Sequence, residues 1–256
     1  MELLAATSYR DIRSDALMSL PWLATLTFLL LLASAIAFQP LARSPLTPTR
    51  LLAASTLSQE IAPLRDLLNR ASLSRTEDSQ AVAEALLSLE KLMRKQNAED
   101  EGETAATTLR ALNGSWRLIF TTGTADTQKR MGRINYFPLK AVQSFDTSSG
   151  RISNGIFLGN FPVLKFFGEF EWLPAPRRLV FDFDQIAVLG LKFDLPKGGA
   201  AKIGGSTGLG SKENTNLVKQ GKKPFFNWIS ADDEIATARG GGGGLALWRR
   251  VEEGDL

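Results

Sequence analysis

The spacing of apolar residues along this chain changes its period twice. Residues 16–42 carry no charge, and the densest apolar run is 22–32. Helical spacing follows. Ile61, Leu64, Leu67 and Leu68 share one face of a first stretch, and Val82, Leu86, Leu87, Leu89 and Leu92 one face of a second. The pattern predicts two amphipathic helices. The second has Ser79 or Asp78 to cap its start, and Lys91, Arg94 and Lys95 in its last turn, where cations suit the helix dipole. The acidic run 97–104 reads as a solvated linker. From Asn113 onward the period becomes two. Trp116, Leu118 and Phe120 alternate with polar positions. Phe166, Gly168, Phe170 and Trp172 oppose Phe167, Glu169, Glu171 and Leu173, while Leu179, Phe181 and Phe183 oppose Val180, Asp182 and Asp184. Further runs at 152–158, 186–193, 225–230, 235–239 and 245–251 predict about eight or more strands, the spacing of an antiparallel barrel or sandwich.

The N-terminal apolar run is long enough for a bilayer, which takes roughly 20 residues as helix. Its core, however, has the size of a signal-peptide h-region and leads into small residues with an A-x-A site at Ala35-Ile36-Ala37. A signal peptide over 1–37 is expected, leaving Phe38 first. Residues 38–57 contain no acid but include Arg43, Arg50 and several Ser, Thr and Pro, the composition of a transit peptide. "ASAIAFQP" resembles the junction in bipartite plastid presequences of algae with secondary plastids, with Gln39 where that pattern usually has Ala. The resemblance implies a plastid destination reached through the secretory route.

Composition narrows the chemistry of the remainder. Residues 58–111 form the helical segment and linker, and 112–251 a single strand-rich domain. With a net charge of +3 spread over the whole chain, there is no electrostatic case for a nucleic-acid partner. Cysteine and histidine are both absent. Disulfide frameworks, thiolate zinc sites, cysteine nucleophiles and Ser-His-Asp triads are excluded together. No catalytic residue, metal ligand or cofactor is assigned. Asp182 and Asp184 sit on the polar face of an alternating strand, as solvated carboxylates do. Two glycine-rich stretches read as loops: 197–223, with six lysines, as a long flexible surface segment, and 239–248 as a hairpin turn between the last two strands. Neither has the order of a phosphate loop.

Gly114-Ser115-Trp116 opens the first strand as G-x-W, and Arg239 and Arg249 fall in the closing strands. This resembles lipocalin-type barrels, in which a first-strand Trp is stacked by a late Arg at one barrel end. Together with "LNGSWRLIFTT", "GRISNGI", "PRRLVFDF" and "DDEIATARGGGGGLALWRR", the region 112–250 resembles the plastid lipid-associated protein (PAP/fibrillin) family. Ala236 and Thr237 depart from it where members usually carry Arg and an aliphatic residue. The resemblance implies a mainly β fold: a lipocalin-like antiparallel β-barrel preceded by two amphipathic α-helices. Gly114, Trp116, Asp232, Glu234 and Arg239 would form its structural motif. Arg239 would stack on Trp116, meet a ligand's polar head, or make an ion pair at the rim. Trp116, Phe120, Phe166, Phe170, Trp172, Phe181 and Phe183, with Arg239, are the expected contacts to a hydrophobic small molecule or lipid. The implied function is noncatalytic carriage of a carotenoid, prenylquinone or fatty acid, with peripheral contact to a thylakoid or plastoglobule surface. A coat protein without a defined ligand is the alternative, and an enzyme acting on a plastid lipid a further one. The helices would then either lie on the lipid surface or pack on the barrel. Alternation alone leaves open which face points inward and whether aromatics fill the interior.

Overall fold

The computed structural model describes residues 48–100, 102–123, 135–200, 203 and 212–252. The expected signal peptide and residues 38–47 of the expected transit segment lie outside the described residues. Residues from Pro48 to Leu256 form one compact unit, and the described core lies wholly within it.

Among the described residues, three helices precede the strands: α1 (Pro48–Ser74), α2 (Ser79–Glu99) and α3 (Glu103–Leu112). The first begins ahead of residue 58, where the helical segment was expected. Asp78 caps α2, its carboxylate accepting the Ala81 N–H at 2.8 Å. Part of the anticipated linker is α3, whose start Asp100 organises by accepting the Thr104 N–H at 3.0 Å. Nine strands follow: β1 (Gly114–Thr121), β2 (Lys140–Asp146), β3 (Arg151–Leu158), β4 (Phe161–Leu173), β5 (Arg178–Val188), β6 (Leu191–Asp194), β7 (Phe225–Ala231), β8 (Ile235–Gly240) and β9 (Leu245–Arg250). The long loop between β6 and β7 contains an eight-residue helix, α4 (Lys212–Lys219).

Pairing runs β4-β3-β2-β1-β9-β8-β7-β5-β6, and β4 also pairs with β5. The ring β1-β2-β3-β4-β5-β7-β8-β9 therefore closes as an eight-stranded antiparallel barrel, which abolishes open sheet edges. β5 uses one edge twice: Arg178, Leu179 and Val180 pair with β7, while Gln185 through Val188 pair with β6. The β5–β6 hairpin thus extends past the ring. Fold class and barrel agree with the sequence expectation.

Two cores lie on opposite sides of the barrel wall. The outer one joins Ile61, Leu68 and Ala71 of α1 and Val82, Leu86, Leu89 and Met93 of α2 to Ile119, Phe120, Ile229, Ile235, Leu245 and Leu247. Most of the apolar face of each helix packs on the barrel, although Leu73 (61% exposed) and Leu87 (50%) stay in solvent, Leu87 contrary to its expected place on the buried face. The inner one comprises Trp116, Phe145, Ile152, Leu179, Phe181, Trp228, Ala236, Ala238 and Trp248, beneath Leu112.

Candidate ligand-binding interior

Cross-strand register assigns the inward face, because laterally paired residues share one side of a sheet. Trp116 pairs with Gln143, Gln143 with Asn154, Asn154 with Phe166, and Phe166 with Ile186. A second row runs from Phe145 through Ile152 and Gly168 to Phe183, and a third from Leu118 through Trp248 to Ala236. Phe170, Trp172, Phe181 and Phe183 belong to the inner core, and Phe166 joins them through a ring contact with Phe183 at 5.6 Å. Trp228 lies 5.2 Å from Trp248 and 5.5 Å from Phe145, centroid to centroid.

Phe120 is a correction to the expected set. A β-bulge between Leu118 and Phe120 puts Phe120 on the outer face, edge-on to Tyr136 at 5.5 Å and under the helices. Leu118 takes the inward place. Phe145, Phe226, Trp228 and Trp248 were missed as lining residues, although 225–230 and 245–251 were read as strands, because alternation left their facing open.

One barrel end is closed by a built cap. Arg250 stacks on Trp116 at 4.2 Å. Its guanidinium also donates to the carbonyl oxygens of Ala111 (2.6 Å), Asn113 (2.8 Å), Asp233 (2.9 Å) and Asp232 (3.1 Å). The Trp116 indole N–H donates to the Leu112 carbonyl at 2.8 Å, tying the end of α3 across the same opening. Gly114 has φ +114°, and a Cβ there would lie 3.0 Å from Arg250 Nη1. The G-x-W glycine thus leaves room for the stacked arginine.

Of the three roles open to Arg239, the structure takes the ion pair and corrects the other two: Arg250 holds the stacking place on Trp116, while Arg239 faces outward. There it forks onto Glu90 of α2, with Nε to Oε1 at 2.9 Å and Nη2 to Oε2 at 2.5 Å. Burial alone would raise the Glu90 pKa, but hydrogen bonding and charge from Arg239, with help from Arg94, hold it below the usual carboxylate value. Asp232 bonds Arg65 of α1 and Glu234 bonds Asn69, while Asp232 Oδ1 accepts the N–H of Glu234 and Ile235, each at 2.8 Å. The Asp232 carboxyl is likewise held low, against its burial, by those backbone donors and Arg65. The acidic-plus-arginine motif clamps the helices to the barrel.

The interior wall is apolar apart from Gln143, Asn154 and the indole N–H of Trp228. Gln143 Oε1 and Trp228 Nε1 are buried and meet no hydrogen-bonding partner among the described residues. Leu118, Phe166, Phe170, Trp172, Phe183 and Phe226 face inward yet are only half-buried. Among the described residues no three carboxylates gather where a metal ion could be held.

A closed eight-stranded meander, capped by a Trp-Arg stack and lined by aromatics, defines a lipocalin-like barrel of the class that takes hydrophobic ligands. The PAP_fibrillin family model matches residues 55–247. The chain belongs to the PAP/fibrillin family, which is associated with plastids and with lipids and other hydrophobic ligands. No curated protein matches it. A solved structure that it is similar to is a lipocalin-like protein from Bacteroides uniformis ATCC 8492, with 15% identity and a TM-score of 0.33, covering 55% of this chain and 99% of that one.

Proposed function

We propose that this protein carries a single apolar molecule with one polar group, noncatalytically, inside the barrel. The observation that carries the reading is the pairing of half-buried inner aromatics with two unpartnered buried polar atoms. Leaving a buried donor or acceptor unmet costs about 1–3 kcal/mol each, so a lining that was only packing filler would favour apolar groups at Gln143 and Trp228. A ligand hydroxyl or carbonyl satisfies one or both, while its hydrocarbon body gains roughly 25 cal/mol per Å² buried against the aromatic wall. Carotenoids, prenylquinones and fatty acids have this division of character. The plastid association of the family and the presequence pattern support a plastid setting, with thylakoid or plastoglobule as the lipid source.

The test is solvent extraction of the protein purified from a pigmented host. Recovery of a carotenoid, quinone or fatty acid in stoichiometric amount supports the reading. A clean extract from folded protein that also fails to take up a fluorescent polyene fatty acid refutes it.

A further inference from the structure

Large apolar side chains exposed to solvent are concentrated at one place. Leu158 (77% exposed) and Phe161 (54%) flank the β3–β4 turn, and Leu189 (61%), Leu191 (68%) and Phe193 (54%) stand at the β5–β6 turn with Val188. The two turns are neighbours: Leu164 pairs with Val188, and the Leu189 N–H donates to the Val163 carbonyl at 3.0 Å. Both project from the end of the barrel opposite the Trp116–Arg250 cap, since β3 and β5 start at the capped end and finish here.

Folding chemistry does not explain this surface. Leu189 and Gly190 have φ of +50° and +88°, the signature of a type I′ hairpin turn. The first position of that turn favours Asn or Asp, and a leucine held left-handed is strained as well as exposed. The patch is formed by two adjacent hairpin tips. Cations gird it. Lys165 and Lys192 are both paired to Ala187 and both lie over the Phe167 ring, at 5.2 and 5.0 Å. Lys140 lies 5.8 Å over Phe157 and bonds Asn160 Oδ1 at 2.9 Å. The carboxylates of the ribbon, Asp184 and Asp194, sit behind, toward its base. In a two-fold contact between copies, this girdle would set lysine against lysine. An apolar tip with ammonium groups just behind it instead matches the layering of a lipid surface, hydrocarbon within and anionic headgroups above.

We infer that the β3–β4 and β5–β6 turns, ringed by Lys140, Lys165 and Lys192, dock the uncapped end of the barrel onto an anionic lipid surface. The aromatic interior is then brought against the source of its ligand. This goes beyond the carrier reading: vesicle binding is read without any interior ligand, so either can fail alone.

The experiment uses the compact unit Pro48–Leu256 in cosedimentation with vesicles of phosphatidylcholine, alone or mixed with phosphatidylglycerol. Wild type is expected to bind the mixed vesicles more tightly, and less so as salt rises. Leu189→Asn separates docking from folding. It suits the turn, so resistance to urea should hold or rise, while vesicle affinity falls about tenfold with the loss of one inserted leucine. Phe161→Ser, on the other turn, should weaken binding similarly. Lys165→Gln with Lys192→Gln should weaken binding to mixed vesicles alone. Unchanged binding of folded Leu189→Asn and Phe161→Ser, absence of wild-type binding to either vesicle, or a solution dimer that Leu189→Asn dissociates would each overturn the proposal.

Discussion

Gly114 shows how much one hydrogen atom in place of a methyl group can decide. Its φ of +114° lies where L side chains are strained, and its missing Cβ is the space beside Arg250. Gly114→Ala is therefore expected to destabilise the unit by about 1–3 kcal/mol in urea unfolding. Arg250→Ala should cost at least as much, because it strips the Trp116 stack and four carbonyl acceptors. The double variant should cost less than the sum, since both changes act on one contact. Gly168 is stricter. A Cβ there would lie 1.9 Å from the Asp182 carbonyl oxygen, at the bulge where β4 and β5 shift register, so Gly168→Ala should leave little folded protein. The G-x-W pattern pointed to the Trp-Arg cap from sequence, but named Arg239 or Arg249. Arg250 was hidden among consecutive arginines, because which of two neighbours sits opposite Trp116 depends on the β1–β9 register, which the binary pattern does not fix.

At the level of elements, the helices depend on a few charged clamps as well as their apolar faces. Glu90 and Asp232 both have carboxyl pKa values held below the ordinary one, Glu90 by Arg239 and Arg94, Asp232 by backbone donors and Arg65, in each case against burial. A depressed folded-state pKa means stabilisation that is present above the unfolded carboxylate range and lost as pH falls through the folded value. Stability in urea should thus drop on acidification below about pH 4.5, and Glu90→Gln should flatten that drop while costing about 2 kcal/mol at neutral pH. Periodicity disclosed both helices because their buried faces are long aliphatic stripes. It missed α3, whose buried residues are mostly small or polar: Thr104, Ala105, Thr108 and Leu112. It missed β2 as well, where Gln143 faces inward and Val142 outward, reversing the expected contrast. The misplacement of Phe120 has a similar cause, since a bulge inserts one residue and exchanges the faces beyond it without any mark in the binary pattern.

For the whole molecule, the two described ends of the barrel have opposite characters, and on the proposed function this asymmetry gives a direction to ligand movement. At one end α3, Trp116 and Arg250 fill the opening with a stack and five backbone hydrogen bonds. At the other, hairpin turns carry bare leucines and phenylalanines. On the proposed function, ligand enters and leaves through the end opposite the Trp116–Arg250 cap. Blocking the interior near that end should therefore abolish uptake while sparing the turns. Ile156 is suited to this, being half-buried and on the inward face of β3 with Ile152 and Asn154, two residues before Leu158. Ile156→Trp is expected to cut uptake of a fluorescent polyene fatty acid, read by energy transfer from Trp228 and Trp248, by tenfold or more, roughly the penalty of overfilling a packed site. Vesicle binding by the same variant should be unchanged. If uptake survives, the ligand does not pass Ile156; if vesicle binding falls with it, the turns and the interior are one site rather than two.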